Sequence, residues 1–378
     1  MARIRDIRLI PLAWRMPEVR AYGMARALTA ERGTTLVEVE TEDGGVGIGE
    51  AWGPAKATAG YLELIKAAYI GRELYDRELI WSDIICRRYH LGLQNQLTAC
   101  ASGINIAIYD ALGKTLGLPV CKLLGGHGRD RLPVYASDGY LTGDPANQLQ
   151  RQLERIEGKG FPGAKIKIGL NPKSDEERVR LARRILGDDL LLLVDVNGNY
   201  TVDLALESMR KVAPYDVHLY EEPLPPQDFR GYEILSGRAP IPVATGEALY
   251  TVWDFARLIE ARAVHVVQPD LTLCGGLDQA KAVALLCQLH NLRFSPHVWG
   301  SAVGLAAAVH FVAALPAYPH TDNLPAPRLI EYDVGENPLR DELLTRPLRP
   351  VNGRLAVPEA PGLGIELDPD AIKRYRAD

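Results

Sequence analysis

Along the first fifty residues apolar and polar side chains alternate. Thr34 to Glu40 alternates, Asp43-Gly44 offers a tight turn and Val46 to Trp52 returns, which predicts an antiparallel hairpin. The opening MARIRDIRLIPLAWR alternates in the same way. From about Ala55 to Leu124 the period lengthens to that of a helix. In SGINIAIYDALGKTLG, Ile104, Ala107, Ile108 and Ala111 share one face, and Gly113 and Gly117 lie near its end. Residues 1–127 therefore read as an α+β domain.

Beyond Gly125-Gly126 short apolar runs alternate with helical segments, as in repeated βα units with a parallel sheet. Strands are predicted at Leu132–Ser137, Ala164–Ile168, Leu191–Asn197, His218–Pro223, Ile241–Glu247, Val264–Asp270, Arg293–Val298 and Arg328–Asp333. Eight strands fit a closed barrel over 128–350. Between them, SDEERVRLARRILG predicts a helix opened by a capping box (Ser174, Glu177) and closed at Gly187. The Pro/Gly-rich end, 351–378, reads as a tail returning to the first domain. A length of 378 residues also suits a large domain with a smaller one attached.

The acids carry the chemistry. Asp195, Glu221, Glu247 and Asp270 each fall at or beside the C-terminal end of a predicted strand, at spacings of 26, 26 and 23 residues. The C-terminal face of such a barrel holds the active site, and consecutive strand ends are neighbours, so carboxylates from strands three, four and five converge. Three carboxylates at one point repel one another unless a cation holds them. All-oxygen ligands suit Mg²⁺, whereas Zn²⁺ takes His or Cys. Asp195, Glu221 and Glu247 are accordingly predicted to bind Mg²⁺. The plainer alternative makes each acid the N-cap of the following helix.

Lys165 and Lys167 close strand two. Residues two apart in a strand share a side, so both ammonium groups enter one region, where each is expected to depress the other's pKa towards that of a working base. The plainer alternative is a salt bridge to a neighbouring carboxylate. His297 ends strand seven beside Asp270 of strand six, an arrangement in which the carboxylate fixes the imidazole tautomer. Lys167 and His297 then flank a bound carboxylate substrate, and removal of its α-proton gives an enediolate that the metal and Lys165 stabilise.

Composition narrows the alternatives. With 47% hydrophobic and 24% charged residues the chain is globular, and no apolar run approaches the roughly 20 residues of a membrane span. A net charge of −5 without a Lys/Arg block gives no footprint for nucleic acid. Five scattered cysteines with no CxxC pair argue against a zinc site or a disulfide framework, and the start lacks a signal-peptide pattern. A cytoplasmic enzyme for a small-molecule carboxylate is expected, with no membrane or nucleic-acid partner.

KIKIG, DVNGNY, YEEPL, ATGEA, VVQPD, SPHVWGS, LIEYD and PGLGIELD, in that order, resemble the enolase superfamily, mandelate racemase subgroup, over essentially the whole chain. The resemblance implies a (β/α)7β modified TIM barrel, with an N-terminal capping domain that the C-terminal tail completes. It implies metal ligands at Asp195, Glu221 and Glu247, a Lys167 base with Lys165 as partner, a His297–Asp270 dyad and Glu331 as a substrate-contacting carboxylate. Asn197, Gln268 and Trp299 are further candidates for substrate contact, and Glu222 is a supporting residue. Specificity loops are expected at Arg15 to Arg32 and Trp52 to Ala57, with Arg20, Tyr22, Arg26 and Trp52 contacting substrate. A homo-oligomer is expected. Within the subgroup the likeness is to acid-sugar dehydratases and galactarolactone-type cycloisomerases. The implied reaction is β-elimination from a sugar-derived acid or its lactone. Epimerisation of a 2-hydroxy acid is the alternative, and a non-catalytic sugar-acid binding protein is a more distant one. A metal-dependent hydrolase would want a His-x-His pair at the first strand end, and YASDGY has none.

Overall fold

A computed structural model describes residues 2–126, 128–316 and 328–377. Residue 127, set above as the end of the first domain, lies outside them. The first domain contains β1 (Ile4–Arg15), β2 (Tyr22–Met24), β3 (Ala27–Thr29), β4 (Glu31–Thr41) and β5 (Val46–Ala51). β4 pairs antiparallel with both β1 and β5, and the turn at Asp43-Gly44 is closed by Thr41 N–H donating to Gly45 O at 2.9 Å. The helix Gln96–Leu116 lies across this sheet. Ile104, Ala107, Ile108 and Ala111 pack with Val37, Val39 and Ala51 in one buried cluster. Asn95 caps its start by accepting from Leu97 N–H, and Gly117 ends it in the left-handed region at φ +68°.

The second domain runs through β6 (Arg131–Ser137), β7 (Leu141–Thr142), β8 (Gly163–Lys167), β9 (Leu191–Asp195), β10 (Val217–Glu221), β11 (Val243–Thr245), β12 (Val266–Val267), β13 (Arg293–Phe294) and β14 (Ile330–Asp333). All but β7 form a parallel ring in the order β14-β6-β8-β9-β10-β11-β12-β13. Between β13 and β14, Ser295 Oγ donates to Leu329 O at 2.7 Å. Each of the first seven ring strands is followed by a helix. After β14 the chain makes the short helical turn Pro338–Asp341, and the later helix Pro369–Tyr375 lies against β1 of the first domain, which makes this the (β/α)7β form.

Several ladders stop earlier than the apolar runs suggest. β11, β12 and β13 end at Thr245, Val267 and Phe294, so Glu247, Asp270 and His297 lie two or three residues past the last paired strand residue. The proposed capping box is also replaced. The helix spans Pro172–Leu186, with Asn171 accepting from Ser174 N–H and Pro172 in the first turn, where its fixed φ suits a helix start.

The tail serves both domains. β15 (Arg354–Ala356) pairs antiparallel with β6. Gly362 then exchanges backbone bonds with Leu118 and Val120, Leu363 N–H donates to Asp110 Oδ1 at 2.7 Å and Ala377 N–H donates to Pro11 O at 2.9 Å. Among the described residues no helix is long and apolar enough to cross a membrane.

Candidate active site

Strand alternation explains how charges come to stand on an apolar barrel floor. Tyr135, Leu193, Leu219, Ala244, Val266 and Leu329 pack together inside the barrel. Two residues on, towards the C-terminal ends, the same inward face presents Ser137, Asp195, Glu221, Gln268 and Glu331. Glu247 breaks that parity, because the chain turns through Gly246 at φ +138° before reaching it.

Asp195, Glu221 and Glu247 each offer an oxygen, and these oxygens lie within 4.8 Å of one another. None is an N-cap: the helices after their strands are capped by Thr201, Asp228 and Tyr250. Asp195 Oδ1 accepts from Asn197 N–H at 2.8 Å, and Glu221 Oε2 accepts from Gln268 Nε2 at 2.8 Å. Glu247 Oε2, the Asn197 amide oxygen and Glu222 Oε1 are buried without a hydrogen-bond partner.

Lys165 bonds Glu221 Oε1, lies 2.8 Å from Glu331 Oε1 and 3.8 Å from Asp195 Oδ2. Lys167 lies 2.5 Å from Asp195 Oδ2. Lys165 does lower the Lys167 pKa, as expected, but the neighbouring carboxylates outweigh it. Burial pulls both pKa values down and the carboxylates more than offset it, so that of Lys167 is raised and that of Lys165 stands well above the ordinary lysine value. Burial and the neighbouring acids push Glu221 up to about 8 despite Lys165. Burial also opposes ionisation of Asp195, but the lysines hold its carboxyl below the usual range.

His297 completes the other flank. Its Nδ1 is 2.7 Å from Asp270 Oδ2, and its Nε2 is 3.5 Å from Glu247 and 3.9 Å from Glu331. Burial works against the imidazolium, yet Glu247, Glu331 and Asp270 raise its pKa to about 10. Glu331 stays ionised well below the ordinary range because Lys165 and His297 outweigh its burial.

Above the charges the capping domain supplies a wall. The Trp52 ring stands edge-on to His297 (centroids 6.4 Å apart) and to Trp299 (5.6 Å). Trp299 Nε1 donates to Tyr140 Oη at 2.9 Å, and Tyr140 packs edge-on against Tyr22 at 4.8 Å. The β2–β3 hairpin reaches the barrel mouth, where β2 pairs with β7 in the loop after the first ring strand and Arg26 donates to the Gly198 carbonyl. Arg20 departs from expectation. It is half-exposed and paired with Glu336, in a side groove of about 540 Å³ that Tyr22 also lines, away from the triad.

The family model "Mandelate racemase / muconate lactonizing enzyme, N-terminal domain" matches residues 10–125, and "Enolase C-terminal domain-like" matches residues 148–371. The chain belongs to the enolase superfamily. It is similar to the D-galactarolactone cycloisomerase of Agrobacterium fabrum, at 35% identity over 91% of this chain and 92% of that one. It is 30% identical to the arabinonate dehydratase of Saccharolobus solfataricus over 99% of both chains. Among solved structures, a racemase from Streptomyces coelicolor A3(2) with bound magnesium superposes at TM-score 0.86 with 26% identity, covering 99% of this chain and 100% of that one. The chain is therefore an enzyme of this superfamily.

Several residues at the site carry no recognisable signal in the sequence. Arg178 donates to the carbonyls of Lys167 (2.8 Å) and Gly139, holding the strand end that bears the lysine. Arg32 is buried, bonds Asp333 and stacks over Trp299 with its guanidinium carbon 4.2 Å from the ring centroid. Tyr140 lies near Lys167, whose Nζ is 6.0 Å from the ring centroid. Each depends on partners tens to hundreds of residues away.

Proposed function

We propose that the protein abstracts the proton α to the carboxylate of a sugar-derived acid or lactone, with Mg²⁺ as cofactor, and completes a β-elimination. The observation that carries this reading is a three-carboxylate cluster with Lys167 against Asp195 at one end and His297 beside Glu247 at the other. A dehydratase and cycloisomerases among the similar proteins support the same class.

The residues fit a divalent cation. Six buried or half-buried carboxylates (Asp195, Glu221, Glu222, Glu247, Asp270, Glu331) face three basic groups, Lys165, Lys167 and His297, and the excess is negative. Glu247 Oε2 lacks a hydrogen-bond partner, and the donor set is all oxygen, which suits Mg²⁺. Held by Asp195, Glu221 and Glu247, the ion would supply Lewis-acid stabilisation of charge developing on the substrate carboxylate. A cation held there would also oppose the field of the carboxylates that raises Lys167 and His297, and would so favour their acting as bases nearer neutral pH.

Lys165, tied to Glu331 and Glu221, places a fixed positive charge beside the developing enediolate. Lys167 or His297 takes the α-proton, and the other protonates a leaving hydroxyl or, in a lactone, assists departure of the ring carboxylate. Trp52, Trp299 and Tyr140 cover the site against water. Return of the proton to the opposite face would instead give epimerisation, which the two separated basic groups also allow. The test is a library of acid sugars and lactones with Mg²⁺, read as keto-acid formation and as α-proton exchange in D₂O. Exchange without elimination would favour the epimerase, and neither would refute the reading.

A further inference from the structure

The stretch Val298–Ser301 joins His297 to the helix Ala302–Ala314 and carries Trp299. Side chains from elsewhere hold the backbone of all four residues. Val298 N–H donates to Glu331 Oε2 (3.1 Å), the Trp299 carbonyl accepts from Arg32 (3.1 Å), the Gly300 carbonyl accepts from Asn337 (3.3 Å) and Ser301 N–H donates to Glu50 Oε1 (2.8 Å). Glu50 makes the densest of these contacts. Oε1 also accepts from Thr34 Oγ1 at 2.5 Å, and Oε2 accepts from Ser301 Oγ at 2.6 Å and from Gly304 N–H at 2.7 Å.

Glu50 sits in β5 of the capping domain, two residues before Trp52, and is fully buried. Among the described residues its carboxylate has no salt-bridge partner; its four donors are neutral groups of Thr34, Ser301 and Gly304. Three of those four donors belong to the start of the barrel helix, where a carboxylate is also favoured by the helix dipole. The fit is tight, since a Cβ on Gly300 would collide with Oε1 and one on Gly304 would lie 2.9 Å from Oε2. An apolar filler of this junction would avoid the desolvation of a buried acid, but it would offer no directed acceptors. What the carboxylate adds is a fixed position for the loop.

We propose that Glu50 is a positioning residue for the loop between His297 and the barrel helix, so that, beside the direct partners Asp270 of His297 and Arg32 of Trp299, a side chain of the capping domain ties the wall of the site and one of its two proton-transfer groups to the same anchor. The role of His297 rests on the function proposed above. The placement of the loop does not.

The test uses the full chain with Mg²⁺. In protein labelled with 5-fluorotryptophan, with the Trp299 line assigned from Trp299→Phe, Glu50→Gln is expected to shift or broaden the Trp299 resonance. The amide cannot accept at both ends, so two donors lose their partner. With two substrates epimeric at the α-carbon, exchange on the His297 face should fall about 10²-fold while that on the Lys167 face changes little, because a small misplacement of one group slows only its own step. Glu50→Asp should restore part of the loss. Ser301→Ala, which removes one bond, should act in the same direction more weakly and serves if Glu50→Gln fails to fold. An unmoved Trp299 line in Glu50→Gln, or equal losses on both faces, overturns the proposal. If the wild type exchanges neither epimer, the functional reading fails, and the fluorine spectrum still decides whether Glu50 holds the loop.

Discussion

Asp270 presents one oxygen to His297 and keeps the other for itself: Oδ2 lies 2.7 Å from His297 Nδ1, while Oδ1 accepts from Thr272 N–H at 2.7 Å and Thr272 Oγ1 at 2.6 Å. A carboxylate only accepts, so the proton of the pair sits on Nδ1 and Nε2 is the atom turned towards Glu247 and Glu331. Thr272 fixes the carboxylate as the carboxylate fixes the ring.

With that geometry, Lys167 and His297 should be separable by the half-reaction each performs. If Lys167 is the base and His297 the acid, His297→Asn should still exchange the α-proton with D₂O but fail to eliminate, and Lys167→Ala should do neither. Reversed roles give the reversed pattern. Losses of about 10²–10⁴-fold are expected. Full elimination activity in both variants would sink the two-group mechanism.

Glu247→Gln should abolish turnover and weaken Mg²⁺ binding with little effect on folding, since Glu247 Oε2 has no hydrogen-bond partner to lose. Glu221→Gln should do the same and also lower the melting temperature, because both oxygens accept, from Lys165 and from Gln268, and an amide can accept at only one end. Chelation by EDTA should stop the reaction and Mg²⁺ should restore it better than Zn²⁺. Near-normal activity and Mg²⁺ affinity in either variant would rule out the triad as the metal site.

Arg26→Ala should alter which acid is accepted more than it alters proton exchange on a good substrate, because Arg26 holds Gly198 beside Asn197 at the mouth. Arg20→Ala, with its partner Glu336 at the surface, should have the smaller effect. Steady-state kinetics on a panel of sugar acids checks both. Equal losses across the panel for Arg26→Ala would show that the hairpin does not discriminate.

Asp138 gives a pH-dependent stability. Burial pushes its pKa to about 7, Arg155 opposes this and Asp333 adds to it. From about pH 4 to 7 the folded chain holds a proton that the unfolded chain has lost, so this group's contribution to stability falls as pH rises through that window. Urea midpoints of wild type and Asp138→Asn should therefore differ more in the variant's favour at pH 8 than at pH 5. Parallel pH profiles would show that Asp138 is not the titrating group.

Much of the barrel was legible because parallel strands buried on both faces read as apolar runs, and an acid two residues past an inward leucine announces itself, as in Leu193/Asp195 and Leu219/Glu221. Strand ends were less so. Glu247, Asp270 and His297 continue apolar runs in sequence, but the chain leaves the ladder before them, and pairing depends on a neighbouring strand rather than on local composition. Arg20 illustrates the other limit. A loop's position can be inferred from its place in the chain, but the direction of one long side chain depends on Glu336, more than three hundred residues later. Glu50 was hidden for the same reason, a charge in GIGEA whose donors come from Thr34 and from the barrel.

The tail makes the capping domain a shared possession of two separate stretches of the chain. Gly362, Leu363 and Ala377 of the tail bond Leu118, Asp110 and Pro11, so the first domain does not carry all of its own neighbours. A chimera that grafts the first domain of a relative onto this barrel would leave the tail, with Gly362, Leu363 and Ala377, against a foreign surface. Exchanging substrate preference by domain transplant therefore calls for three segments to move together: the first domain, the tail, and the loop around Ser301 that Glu50 grips.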